Sequence, residues 1–278
     1  LIGGTFTTVN GVTRQRVAVL NTDGTLDTGW VPPTVNNGVG FLHQTPDAKI
    51  YIIATTSSGF TTVGGVSMPV IARLNADGTH DNTYFGPVPV SANGSTLSIY
   101  QGVMPQSDGK FVLWGSHDLI RGAPMQYLAL VDHDGPVSGF VNLAANSVIY
   151  GVDRLSDGKY IALGGFTTIG GVASTYTRIA RLNTNGSLDT SFPASTIGST
   201  PPTGGIGNRG IVPLSSNRRL VYTNAGPYLI RLNADGTIDG TYTAPTLNNA
   251  PEFAAVQSDG KVILVGWFTT VAGDTRTR

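Results

Sequence analysis

The pattern with the strongest claim to chemistry is Asn-x-Asx-Gly-x-x-Asp, found at Asn21–Asp27, Asn75–Asp81, Asn183–Asp189 and Asn233–Asp239, with a worn copy from Asp132 through Gly135. Alternating oxygen side chains of this kind make up the later half of calcium loops, where they converge on a hard cation. The position of the first carboxylate, however, holds Arg73, Arg181 or Arg231, or Val19 in the first copy. A guanidinium there repels a cation and is placed to pair with Asp81, Asp189 or Asp239. The expectation is therefore no metal and no cofactor, with Asn and Asp side chains pinning a hairpin turn.

Glycoside hydrolysis would need two carboxylates flanking the scissile bond. Of the acidic residues, only Asp118, Asp153, Asp274 and Glu252 fall outside recurring turn elements. His117 and Asp118 could act as a base and its orienting group, but neighbours in a loop seldom point together, and the pair reads more simply as a diverged repeat. His43, His80 and His133 lack metal-ligand spacing, and no nucleophile elbow, phosphate loop or dinucleotide fingerprint is present. No enzyme is expected.

The elements that must position these residues repeat along the chain. A second turn, Ser-Asp-Gly-Lys, stands at Ser107–Lys110, Ser156–Lys159 and Ser258–Lys261, with worn copies at Asp47–Lys49 and Asn217–Arg219, and it holds all four lysines of the chain. A third element, Phe-Thr-Thr-x-x-Gly, recurs at Phe6–Gly11, Phe60–Gly65, Phe166–Gly171 and Phe268–Gly273, replaced by His117–Gly122 in the third copy. Short alternating apolar runs flank the turns, so each unit reads as four antiparallel strands, A to D, joined by hairpins. Successive Asn-x-Asx-Gly elements stand 50 to 57 residues apart, close to the length of a four-stranded propeller blade. The expected fold is an all-β propeller with about five repeats in one domain, residues 1–278. The repeats run roughly over 1–46, 47–107, 108–156, 157–215 and 216–258, with a partial one over 259–278.

Phe-Thr-Thr-x-x-Gly, Arg-Leu-Asn-Ala-Asp-Gly-Thr-x-Asp and Ser-Asp-Gly-Lys, in this order, resemble the delta-60 repeat β-propeller family of bacterial surface and phage proteins over essentially the whole chain. The resemblance implies an extracellular, virion or cell-surface propeller and brings no reaction and no catalytic residues. Leu1–Arg16 aligns with Ile263–Arg278, so the expectation is a fragment or processed domain of a larger protein, either a five-bladed ring or part of a longer array, whose open edge strands need cover.

In such a blade the A–B and C–D turns share one face, and the long, variable Gly/Pro/Ser-rich connections share the other. Binding is expected on that variable face, with Trp30, Phe85, His117, Asp118 and Arg209 as candidate contacts. Trp30, Tyr84, Phe192 and Tyr242 recur at one repeat position, which favours packing between blades over ligand stacking, whereas Phe85 has no counterpart. With 17 basic and 17 acidic side chains and no Lys/Arg run, no nucleic-acid partner is expected. No apolar stretch is long enough to span a bilayer, and the absence of cysteine leaves the redox compartment open. The functional expectation is a non-enzymatic structural or adhesive module of a phage virion or bacterial surface protein, with other protein subunits or surface glycans as partners. A lectin is the alternative, and a glycoside hydrolase a more distant one.

Overall fold

The computed structural model describes residues 1–276 except 46, 55–59, 69–70, 85–88, 91–99, 107, 133–134, 174–175, 193–194, 197–209 and 225. Unit 1 is a pair of short strands, β1 (Ile2–Gly3) and β2 (Val17–Ala18). Four antiparallel three-stranded sheets follow. Unit 2 holds β3 (Val39–Gln44), β4 (Ile50–Ala54) and β5 (Ile71–Leu74). Unit 3 holds β6 (Tyr100–Pro105), β7 (Phe111–Gly115) and β8 (Leu128–Val131). In unit 4 the strands are β9 (Ile149–Arg154), β10 (Tyr160–Gly164) and β11 (Ile179–Leu182). In unit 5 they are β12 (Ile211–Pro213), β13 (Arg219–Tyr222) and β14 (Leu229–Leu232). Unit 6 pairs β15 (Pro251–Val256) with β16 (Val262–Gly266). The result is an all-β chain of repeated small sheets in a propeller-like arrangement.

The middle strand of each three-stranded sheet is an apolar run, and its position between two partners explains that composition. β4, β7, β10 and β13 are buried along their whole length, as a strand covered on both faces requires. Each first strand except β12 carries a register irregularity at the same place, between Val39 and Phe41, Tyr100 and Gly102, Ile149 and Gly151, and Pro251 and Phe253.

The expected fourth strand is reduced to a single bridge in units 1 to 5: Leu20 to Leu26, Leu74 to His80, Val131 to Pro136, Leu182 to Leu188 and Leu232 to Ile238. In units 2, 4 and 5 the cause is local. The Oδ1 atoms of Asp81, Asp189 and Asp239 accept the N–H groups of Thr83, Ser191 and Thr241 at 3.0 Å each. This Asx turn bends the chain away one residue after the bridge.

Phe-Thr-Thr-x-x-Gly builds a small hairpin of its own between the second and third strands, as in Thr62–Val63 with Val66–Ser67 and Thr168–Ile169 with Val172–Ala173. Both turn residues have positive φ, at Gly64 and Gly65 (59° and 80°) and at Gly170 and Gly171 (60° and 76°). A two-residue turn of this hand matches strand twist and selects glycine. Asn10, Arg121 and Ala272 take the first position in the other copies.

Two large apolar clusters fill the body, one spanning units 1 to 3 and the other units 3 to 5. A small third cluster around Leu220, Tyr222, Leu229 and Ala254 lies next to unit 6. Among the described residues no helix is long and apolar enough to cross a membrane.

Candidate functional site

The turn side of the molecule is consumed by architecture. In unit 2, Arg73 Nε lies 2.8 Å and Lys49 Nζ 3.0 Å from Asp81 Oδ2, and the Thr83 hydroxyl donates to Oδ1 at 2.6 Å. Unit 4 repeats this with Arg181 and Lys159, both 2.7 Å from Asp189 Oδ2, and Ser191 at 2.6 Å. Arg231 pairs with Asp239 at 2.8 Å in unit 5. Burial works against ionisation of Asp81 and Asp189, but the hydroxyl and cationic donors outweigh it and hold both well below the usual carboxylate range. The Thr241 hydrogen bonds bring Asp239 down to about 2. With both oxygens of Asp81 and Asp189 committed to protein donors, these turns are pins. Among the described residues no group of three His, Asp or Glu side chains could hold a metal ion.

The recurring aromatics lock neighbouring units together. Trp30 is buried, donates from Nε1 to the Ala76 carbonyl at 3.0 Å, and covers Gly78 so closely that a Cβ there would meet the ring at 2.8 Å. Phe140 covers Gly186 in the same way, at 2.6 Å. Arg73, Arg181 and Arg231 stack over Tyr84, Phe192 and Tyr242 at 5.0, 5.0 and 4.7 Å. Trp30 therefore packs between units 1 and 2, and its burial leaves little of the ring exposed.

His117 occupies the repeat position of the buried Phe60 and Phe166 and is only 2% exposed, so it also lies beneath the surface. Burial lowers its pKa to about 4, against a raising influence from Asp118. Asp118 is partly buried, and its carbonyl accepts from Met125 N at 3.0 Å. Asp118 is near enough to His117 to act on it, but Trp30 belongs to a different unit. Phe85 and Arg209 lie outside the described residues. The remaining unallocated acids have partners: Asp153 with Arg219 at 2.7 Å, Asp274 with Arg276 at 3.2 Å, and Glu252 with Trp267 Nε1 at 2.5 Å.

The loop side is more ordered than its composition suggests. Asn36 Oδ1 accepts from Thr61 N and Thr62 N at 2.9 and 3.1 Å. Asn146 and Asn248 do the same for Thr167 and Thr168, and for Thr269 and Thr270, at 2.8 to 3.0 Å. Each incoming loop is thus stapled to the Phe-Thr-Thr hairpin of its unit. Sequence reading passed over these asparagines, although each stands 21 or 25 residues before its threonine.

One repeat position on the stapled face changes from unit to unit. At the position filled by buried Met68 and Met125 in units 2 and 3, unit 1 has Arg14, itself only 7% exposed. Arg14 Nη1 and Nη2 donate to the carbonyls of Thr13 and Thr28 at 2.9 and 3.1 Å, and Nε has no acceptor. Arg14 borders a cleft of about 190 Å³ formed with Thr13, Gln15 and the segment Val31–Thr34. Sequence reading missed it; the aligned position holds Met68 and Met125 in units 2 and 3, Ser174 in unit 4 and Arg276 in unit 6.

Similar architecture occurs in solved structures. The virginiamycin B lyase of Staphylococcus aureus matches at 16% identity with a TM-score of 0.46, over 82% of this chain and 63% of its own. An extracellular domain from B. thetaiotaomicron matches at 9% identity and 0.45, over 86% and 30%. A streptogramin B lyase structure matches at 15% and 0.43, over 88% and 67%. This chain therefore spans less than two thirds of the first two. The expectation of a non-enzymatic structural or adhesive virion module, with its phage-tail setting, is not met among these matches, two of which are lyases and one an extracellular domain. Likeness at this level concerns the fold alone and transfers no reaction to this chain. No curated protein matches the sequence. Residues 1–29, 45–84, 155–192, 221–242 and 257–278, more than half of the chain, match the family described as "Domain of unknown function (DUF5122) beta-propeller", and the chain belongs to that family.

Proposed function

We propose that the protein is a ligand-recognition propeller whose loop face seats a carboxylate-bearing small molecule at Arg14. The observation that carries this reading is a buried guanidinium with no carboxylate partner among the described residues, beside an open cleft. An uncompensated buried charge is costly, and such groups are ordinarily paired or bind a counter-ion. Nη1 and Nη2 each give one N–H to a carbonyl, which fixes the plane of the guanidinium and leaves the second N–H of each, and the net charge, for an incoming anion. The cleft, at about 190 Å³, is smaller than a typical small-molecule pocket of roughly 300 Å³ or more. It suits one carboxylate group of a ligand whose remainder lies along Val31–Thr34.

The finer architecture belongs to the same proposal. Residues 1–278 form one propeller domain of delta-60 repeat type, its five repeats each equivalent to a four-stranded blade with a vestigial fourth strand, in an extracellular setting. The test is thermal-shift titration with acetate and succinate against neutral acetamide and glycerol. The carboxylates should raise the melting temperature of the wild-type chain and leave Arg14→Met, which places the residue of units 2 and 3 there, unmoved. Equal responses in the two proteins, or equal responses to acids and neutral compounds, would refute the reading.

A further inference from the structure

The Arg14 cleft offers more than a charge. Its walls are Thr13, Gln15 and the segment Val31–Thr34. Val31 is 60% exposed, and its repeat counterpart Val141, in the middle of the chain, is 39% exposed, so the exposure belongs to the repeat position. Pro32 and Pro33 carry no N–H and have a fixed φ, so this wall is apolar, poor in donors and stiff. Gln15 is partly buried, and its primary amide makes no hydrogen bond among the described residues.

A second arginine at this repeat position meets a carboxylate. Arg276 in unit 6 aligns with Arg14 and makes the same contact, from Nη1 to the carbonyl of the preceding residue, Thr275, at 3.0 Å. Its Nη2 lies 3.2 Å from the Asp274 carboxylate. Unit 1 has Val12 where unit 6 has Asp274, so Arg14 keeps the backbone contact and lacks the carboxylate.

We infer, resting on the reading that Arg14 seats a carboxylate, that the ligand is an N-acylated α-amino acid with an apolar side chain, either free or as the last residue of a peptide. Its carboxylate meets the second N–H groups of Arg14. Its amide, one donor and one acceptor, pairs with the Gln15 amide, which offers the complementary pair. Its side chain lies on Val31 and Pro32. A dicarboxylate fits less well, because its second charge would face Val31 and the prolines with no second cation among the lining residues.

Isothermal titration of residues 1–278 with acetate, 4-methylpentanoate, N-acetyl-L-leucine and N-acetyl-L-leucinamide tests this. 4-Methylpentanoate should bind about tenfold tighter than acetate through its buried side chain. N-acetyl-L-leucine should gain about a further fivefold through one net hydrogen bond, and the leucinamide should not bind. The first ratio should fall to near one in Val31→Ser and the second in Gln15→Ala. The tripeptide Gly-Gly-Leu binding at least as tightly as N-acetyl-L-leucine assigns the ligand to a peptide end, and weaker binding assigns it to a free N-acyl amino acid. N-acetyl-L-leucine no tighter than acetate, or ratios that survive both substitutions, overturns the inference while the carboxylate reading of Arg14 stands. No binding of any carboxylate overturns both.

Discussion

Units 4 and 6 are built from the same motifs, yet the second strand of unit 4 pairs with a third while that of unit 6 pairs only with the first among the described residues. In unit 4 the middle strand β10 is buried from Tyr160 to Gly164, the lysine reaches Asp189, and the turn glycine lies under Phe140. In unit 6 the equivalent strand carries side chains more than a third exposed, and the equivalent lysine turns inward to its own loop. Sequence motif alone therefore does not decide what a residue does. Lys159 and Lys261 occupy the same turn, and the presence of a third strand carrying an aspartate separates them. Unit 3 makes the same point differently: Leu130 and Val137 stand where other units have the Arg–Asp pair, so Lys110 turns back on Asp108.

The comparison can be broken most strongly at the contact between units. Trp30→Ala should cost about 3 to 5 kcal/mol, as for other buried Trp truncations, read as a lowered urea midpoint. Trp267→Ala, on the open edge, should stay within about 0.5 kcal/mol at dilute concentration. Next in size is the pin. Asp189→Asn leaves Arg181 and Lys159 without their carboxylate and should cost about 2 to 3 kcal/mol, below the full figure for a buried pair because Lys159 is partly exposed. The matching Asp27→Asn should cost under about 1 kcal/mol, because Asp27 has no cation to strand.

Acid separates the units as well. His117 titrates at about 4 in the folded chain, below its unfolded value near 6.5. The unfolded state therefore binds the extra proton first, and stability falls as pH drops from about 6.5 toward 4. His117→Phe, which restores the repeat residue, should remove that slope and add about 1 kcal/mol by replacing a buried polar ring. The pinned aspartates act lower: their folded values lie below the ordinary range, so their contribution is complete above about pH 4 and is lost as pH falls toward about 2. The smallest effect is expected at Ala272, whose φ of 50° suits glycine. Ala272→Gly should stabilise the chain by about 0.5 to 1 kcal/mol in thermal unfolding.

Much of the fold was legible because turn chemistry is local. Asn-x-Asx-Gly and Ser-Asp-Gly-Lys specify their own hydrogen bonds, and the Arg–Asp pairing follows from strand register. The fourth strand was over-read because its termination depends on the Asp81-type side chain capturing the amide two residues on. His117 and Trp30 were legible as repeat members, but their depth depends on the neighbouring unit. Arg14 and the asparagine staples were not read, since their partners lie across loops whose closure no periodicity describes.

The central claim is that the presence of a paired third strand, rather than the turn motifs, sets the order of a unit. Hydrogen–deuterium exchange of residues 1–278, followed peptide by peptide, tests it most directly. The amides of Val262–Gly266 should exchange far faster than those of Tyr160–Gly164. Equal protection of the two strands would contradict the account.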